Sequence, residues 1–236
     1  MRAQEKNIKG FNVLELIAVV LIIGIISAAA YPKFSGWKTQ REIRDAALKI
    51  KSLMLAINAQ AQRGLYSFVQ VYVNITDTEI TIVSKGMKPD TLSTKINNGD
   101  SAWNIDESSR CNIVSTAYWD DDGGAADNTV MQVQKLEFDA NKFASNFAGE
   151  AAVCFSKDAR WFSGAGNFVS GAVGDTSVDQ TMFLCIKVED VPTCAIDEGS
   201  GEPTTVVDNV YSIDWTRFGD VTVDKWSTLL NEWVLQ

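Results

Sequence analysis

The stretch KGFNVLELIAVVLIIGIISAAAYPKF, Lys9 to Phe34, sets how the rest of the chain is read. From Phe11 to Tyr31 it runs 21 residues with one charge, Glu15. A helix of that length spans about 31 Å, close to the ~30 Å hydrocarbon core of a bilayer. The stretch is therefore expected to be a transmembrane helix with a lone acid near one end. A carboxylate in such a run costs about 2.5–3.5 kcal/mol at mid-span and less near an end, so Glu15 needs a reason to be there. A conventional secretory signal fits less well, because the run is long and has no A-x-A cleavage site before Pro32.

The junction is more specific. Lys9-Gly10-Phe11 marks a polar-to-apolar boundary, Glu15 lies four residues past Phe11, and Pro32 closes the run. This pattern resembles the class III signal of type IV pilins and type II secretion pseudopilins. The resemblance covers about 25 residues. It implies that a prepilin peptidase cuts between Gly10 and Phe11 and that Phe11 becomes N-methylated. It also gives Glu15 a physical role. Its carboxylate would neutralise the Phe11 amine of a neighbouring subunit, since an unpaired buried charge costs several kcal/mol. Pro32 would belong to the same assembly segment.

Three segments are expected. Residues 1–10 form the leader. Residues 11–62 form one long helix, with 11–31 as transmembrane segment or filament core and 32–62 amphipathic. Residues 63–236 form a β-rich globular head. The second part of the helix shows in Ile43, Ala47, Ile50, Met54, Ile57 and Ala61, spaced by three and four, with Ala46 and Leu53 beside them. Charged residues from Lys38 to Lys51 lie mostly off that stripe. Proline at 32 bends such a helix without having to end it. Gly64 is placed to cap it.

Beyond Gly64 the pattern is β. Tyr66–Asn74 and Glu79–Ser84 alternate, with Val69, Val71 and Val73 on one face and Phe68, Gln70 and Tyr72 on the other. Residues 85–110 read as loop with a short strand. Further strands are expected at Cys111–Trp119, Thr129–Phe138, Ala151–Ser156, Thr181–Val188, Val206–Trp215 and Asp220–Asp224. Gly164–Gly174 is glycine-rich, and Trp226–Val234 reads as a short amphipathic end piece. The expected fold class is thus α+β: a long N-terminal helix, its apolar half protruding, packed on an antiparallel β-sheet head, the pilin-like arrangement. Within the family, Val153-Cys154-Phe155-Ser156 followed by Arg160-Trp161-Phe162, and the turn Arg217-Phe218-Gly219-Asp220-Val221, are similar to H-type pseudopilins and FimT- or FimU-like minor pilins. The chain departs from them in length, in Ala159 where glycine is usual, and in its Asp-rich and cysteine-bearing loops.

The net charge is -9. Removing the leader, with Arg2, Lys6, Lys9 and Glu5, leaves 18 basic against 29 acidic residues. Such acidity argues against nucleic acid as a partner, which calls for clustered Lys and Arg. The final stretch, Gly219–Gln236, has Lys225 alone against Asp220, Asp224 and Glu232. Lys6 and Lys9 before the apolar run place the head outside the cytoplasm by the positive-inside rule. Four cysteines in an exported head suggest two disulfides. Of three connectivities, Cys185–Cys194 is favoured by its short loop with Pro192, leaving Cys111–Cys154. The chain has no histidine, which excludes a Ser-His-Asp or Cys-His centre and, with no CxxC pair, argues against zinc. The chain is read as no enzyme and without cofactor.

Two other constellations are weaker. Asp120, Asp122 and Asp127, in DDDGGAADN, offer oxygen ligands for calcium but miss EF-hand spacing, so a solvated turn is the favoured reading. Seven tryptophans suggest either a glycan-binding surface or, more commonly, core packing. The expected function is that of a minor pilin or pseudopilin, a structural subunit of a type IV pilus or type II secretion pseudopilus. Its partners would be other subunits, the prepilin peptidase, the inner-membrane assembly platform, and the membrane before assembly. The expected location is the inner membrane, single-pass with the head in the periplasm, and then the filament. The alternative is a major pilin or filament adhesin whose head binds surfaces or glycans.

Overall fold

A computed structural model describes residues 12–99, 130–157, 162–166, 180–187, 193–197, 201–204, 209–216 and 219–236. The chain divides into two units, Met1–Glu42 and Ile43–Gln236. Helix α1 (Val13–Gln62) supplies the described part of the first unit and opens the second.

In the second unit α1 behaves as its spacing requires. Ile43, Ala46, Ala47, Ile50, Leu53, Met54, Ile57 and Ala61 are all buried, on one stripe of the helix. Each of the large ones contributes about 1.5–3 kcal/mol by leaving water. The helix ends in two crossed hydrogen bonds, Gly64 N to Ala61 O at 2.9 Å and Leu65 N to Gln60 O at 3.2 Å. That is a Schellman closure, and it needs the left-handed φ of +79° that Gly64 supplies. A Cβ at Gly64 would meet nothing within 4 Å, so only the backbone cost applies. Gly64→Ala is expected to lower stability by about 1 kcal/mol, and Gly64→Asn by less, as read from urea unfolding midpoints.

Among the described residues ten strands follow, in two sheets. The first comprises β1 (Phe68–Ile75), β2 (Glu79–Met87), β3 (Val130–Asp139), β5 (Gly149–Ser156) and β6 (Phe162–Gly166), in the order β3-β2-β1-β5-β6. The second comprises β4 (Phe143–Ser145), β7 (Gln180–Ile186), β8 (Tyr211–Trp215), β9 (Val221–Ser227) and β10 (Glu232–Leu235), in the order β10-β9-β8-β7-β4. Every pairing is antiparallel. Period-2 alternation sends Val69, Val71, Val73, Ile80, Ile82, Val153 and Phe155 of the first sheet into one apolar cluster. Met182, Leu184, Tyr211, Ile213, Trp215, Val221 and Val223 of the second sheet join it, together with the α1 stripe.

This architecture corrects the pilin-like expectation of a long helix on one small sheet. The apolar stripe of α1 shares its core with two five-stranded sheets, because inward-facing residues of both are needed to cover it. The transmembrane and membrane readings, and with them an inner-membrane single-pass location, are also corrected. Among the described residues no helix is long and apolar enough to cross a membrane.

Smaller corrections concern local elements. The segment read as loop at 85–110 holds helix α2 (Pro89–Asn97), with Pro89 in the first turn, Asp90 beside it and Lys95 in the last turn. None of its residues is buried. The end piece 226–234 is a hairpin between β9 and β10, closed by Asn231 at φ 54°. The expected strand Cys111–Trp119 lies outside the described residues.

Candidate assembly surface

The first unit is built around the start of α1. Asn12 acts as its cap: Asn12 Oδ1 accepts from Leu14 N at 3.3 Å, and Asn12 O accepts from Glu15 N at 3.0 Å and Leu16 N at 3.2 Å. Glu15 thus stands at the third helical position, where a carboxylate favours the positive end of the helix dipole. The sequence Asn12-Val13-Leu14-Glu15 has capping-box spacing, with an asparagine in place of the usual Ser or Thr. That signal gives Glu15 a local use in addition to any role between subunits.

From Val13 to Ile26 the helix, Glu15 apart, is apolar on all sides and exposed. Val13, Leu14, Leu16, Ile17, Val19, Val20, Leu21, Ile22, Ile23, Ile25 and Ile26 are each between 46% and 73% exposed. A helix that is hydrophobic all round is normally a buried one. A continuous exposed apolar surface of this kind marks an interaction site. Further along, Arg41 lies over the Trp37 ring at 5.6 Å, and Lys38 pairs with Glu42 at 3.8 Å. The polar character of α1 therefore returns before the first unit ends.

The other sequence-derived site residues fall in different places. Gly10 and Phe11, on either side of the expected cut, lie outside the described residues, as do Cys111 and the expected calcium residues Asp120, Asp122 and Asp127. Pro32 lies within the span of α1. Cys185 of β7 is bonded to Cys194, with a Cα–Cα distance of 5.8 Å, and Cys154 of β5 is disulfide-bonded. The Cys185–Cys194 bridge sits on the face of the second sheet opposite the main core. There it packs with Ala144, Val210 and Trp226, and with Phe183, Ile196 and Trp233 at its margin.

The tryptophans divide accordingly. Trp215 and Trp226 are buried and serve packing. Trp226 and Trp233 meet edge to face at 5.2 Å, and Phe183 lies 5.6 Å from Trp233. Trp37 is exposed. Trp103, Trp119 and Trp161 lie outside the described residues. Among the described residues no group of three or more acidic or cysteine side chains is arranged to hold a metal ion. Tyr211 is a buried titratable group of the core, and burial pushes its hydroxyl above the ordinary tyrosine range.

Compared with known proteins, the chain matches no family model, and no solved structure matches it.

Proposed function

We propose that the chain is a structural subunit of a filament of the type IV pilus or type II secretion pseudopilus kind, in the role of a minor pilin or pseudopilin. A prepilin peptidase would cut it between Gly10 and Phe11, and it would assemble through its N-terminal helix. The observation that carries this reading is the all-round exposed apolar surface from Val13 to Ile26, interrupted only by Glu15 among charged residues. Such a surface is stable only when covered, and stacked copies of the same helix cover one another without any further partner. Inside such a stack the Glu15 carboxylate requires a cation, and the free Phe11 amine of a neighbour, released by the cut, supplies one.

The two-sheet head would then choose partners. Other subunits, the peptidase and the assembly platform are the partners this reading requires. Intact-mass and N-terminal analysis of the protein from its native cells tests it. A chain beginning at a methylated Phe11 is the expected result. A chain still beginning at Met1 in cells with an active prepilin peptidase would overturn it.

A further inference from the structure

The second sheet ends in a strand with one neighbour. Among the described residues β10 pairs only with β9, in the register Glu232↔Ser227, Trp233↔Trp226, Val234↔Lys225 and Leu235↔Asp224. Gln236 N continues that ladder by donating to Val223 O at 2.9 Å. In an antiparallel ladder, residues alternate between turning both backbone groups toward the neighbour and turning both away. Gln236 turns inward, so Val234 and Glu232 do as well. The N–H and C=O groups of Trp233 and Leu235 therefore project from the free edge of the sheet.

Natural sheets normally blunt such an edge with charge, proline or a bulge. This edge carries one charge, Glu232, and is otherwise apolar. Leu235 is 67% exposed, and Leu229 and Leu230 in the preceding turn are exposed as well. That turn is ordered by hydrogen bonds, from Asn231 N to Ser227 O at 2.8 Å and from Leu230 N to Ser227 Oγ at 3.2 Å.

We infer that the β10 edge pairs with the β10 edge of a second copy of this chain, about a two-fold axis at Val234. In that register Trp233 lies opposite Leu235 of the other copy, and Leu235 opposite its Trp233. The outward groups of each strand meet outward groups, which makes four backbone hydrogen bonds. Shifting the axis to Trp233 sets Leu235 against the turn residue Asn231 and leaves only two such bonds within the strands.

The side chains agree with the Val234 axis. Leu235 covers the aromatic cluster of Trp233, Trp226 and Phe183 on the other copy. Val234 meets Val234. Glu232 lies opposite Gln236, whose side chain is neutral. Leu235 O accepts from the Gln236 side-chain amide at 3.4 Å and keeps a second lone pair for a backbone donor. A contact of four residues a side is smaller than the ~800 Å² per partner of a permanent interface, so the pairing depends on concentration. It uses head residues only and stands whether or not the filament reading holds.

Cysteine scanning in the full chain tests it. All described native cysteines are disulfide-bonded, so an introduced thiol is reported directly. Opposed residues of a non-hydrogen-bonded pair lie with Cα atoms about 4.5 Å apart, inside disulfide reach. Val234→Cys is expected to give a covalent dimer under mild oxidation, about tenfold more than Glu232→Cys, whose symmetry mates lie far apart in this register. Leu235→Pro removes one outward N–H and no inward one, so adding it should abolish the Val234→Cys dimer while the fold persists by circular dichroism. Equal crosslinking by Val234→Cys and Glu232→Cys would overturn the inference. So would a dimer that survives Leu235→Pro, or a Val234→Cys thiol that bonds another polypeptide in preference to its own copy.

Discussion

Gly219→Ala is expected to lower the stability of the unit Ile43–Gln236 by about 2–3 kcal/mol, a sizeable fraction of what a domain of this size has. Two effects add. Gly219 holds φ at +82°, and an L side chain in the left-handed region costs about 1–2 kcal/mol. A Cβ at that position would also overlap the carboxamide of Asn58 on α1, and that flexible side chain can swing away only by giving up its hydrogen bond to Gly219 O, a loss of about 1 kcal/mol. Gly219 N donates to Thr216 O at 2.9 Å, and Thr216 N donates to Asp220 O at 3.0 Å. Asn58 Nδ2 meanwhile donates to Gly219 O at 3.1 Å, so the β8–β9 turn is latched to the helix across 161 residues of sequence. Asn58→Ala alone should cost about 1 kcal/mol, the worth of one hydrogen bond. In the Asn58→Ala background, Gly219→Ala should cost only its backbone share, about 1–2 kcal/mol. Urea unfolding of the four proteins, followed by tryptophan fluorescence, measures this cycle. A single Gly219→Ala penalty below about 1 kcal/mol would show that the turn moves away from α1 without loss.

That latch illustrates what the sequence concealed. The stripe from Ile43 to Ala61 is legible because a helix repeats every 3.6 residues and each apolar residue declares its face. Val69, Val71 and Val73 declare theirs by alternation. Alternation names a face and never a partner, however. Val71 pairs with Val153, and Phe143 pairs with Ile186, and nothing local in those strands encodes the choice. The division into two sheets follows from such pairings, so one sheet was expected where two are present. Helix α2 escaped for the opposite reason. Its Pro89, Asp90 and Lys95 are sound start and stop signals, but it buries no residue and so shows no apolar period. At the candidate surface Glu15 stood out by its charge, while its local partner Asn12 did not. The capping spacing between them was readable, but it lies inside an apolar run where the acid draws the eye to distant partners.

Those two uses of Glu15 make opposite demands, and one substitution separates them. On the filament reading, Glu15→Gln is expected to be cut after Gly10 and to fold, yet to enter filaments about two to four orders of magnitude less often than the native chain. That factor follows from the cost of leaving one partner of a buried ion pair alone, about 3–5 kcal/mol. Glutamine keeps the length and hydrogen-bonding capacity that the third helical position uses. It loses only the charge, so the cap made by Asn12 should persist, and with it the helical content of the isolated chain. Glu15→Ala removes both properties. If the carboxylate acts between subunits, glutamine and alanine fail alike, because the Phe11 amine of the neighbour is left without an anion in either case. If the carboxylate serves chiefly to start α1, glutamine assembles nearly as the native chain does and alanine alone fails. Incorporation is read by immunoblot of sheared filaments against the cell-retained fraction, and cleavage by N-terminal mass in the same samples. Normal incorporation of Glu15→Gln would remove the charge pair from the mechanism. The exposed apolar residues from Val13 to Ile26 would then have to hold the subunits by packing alone.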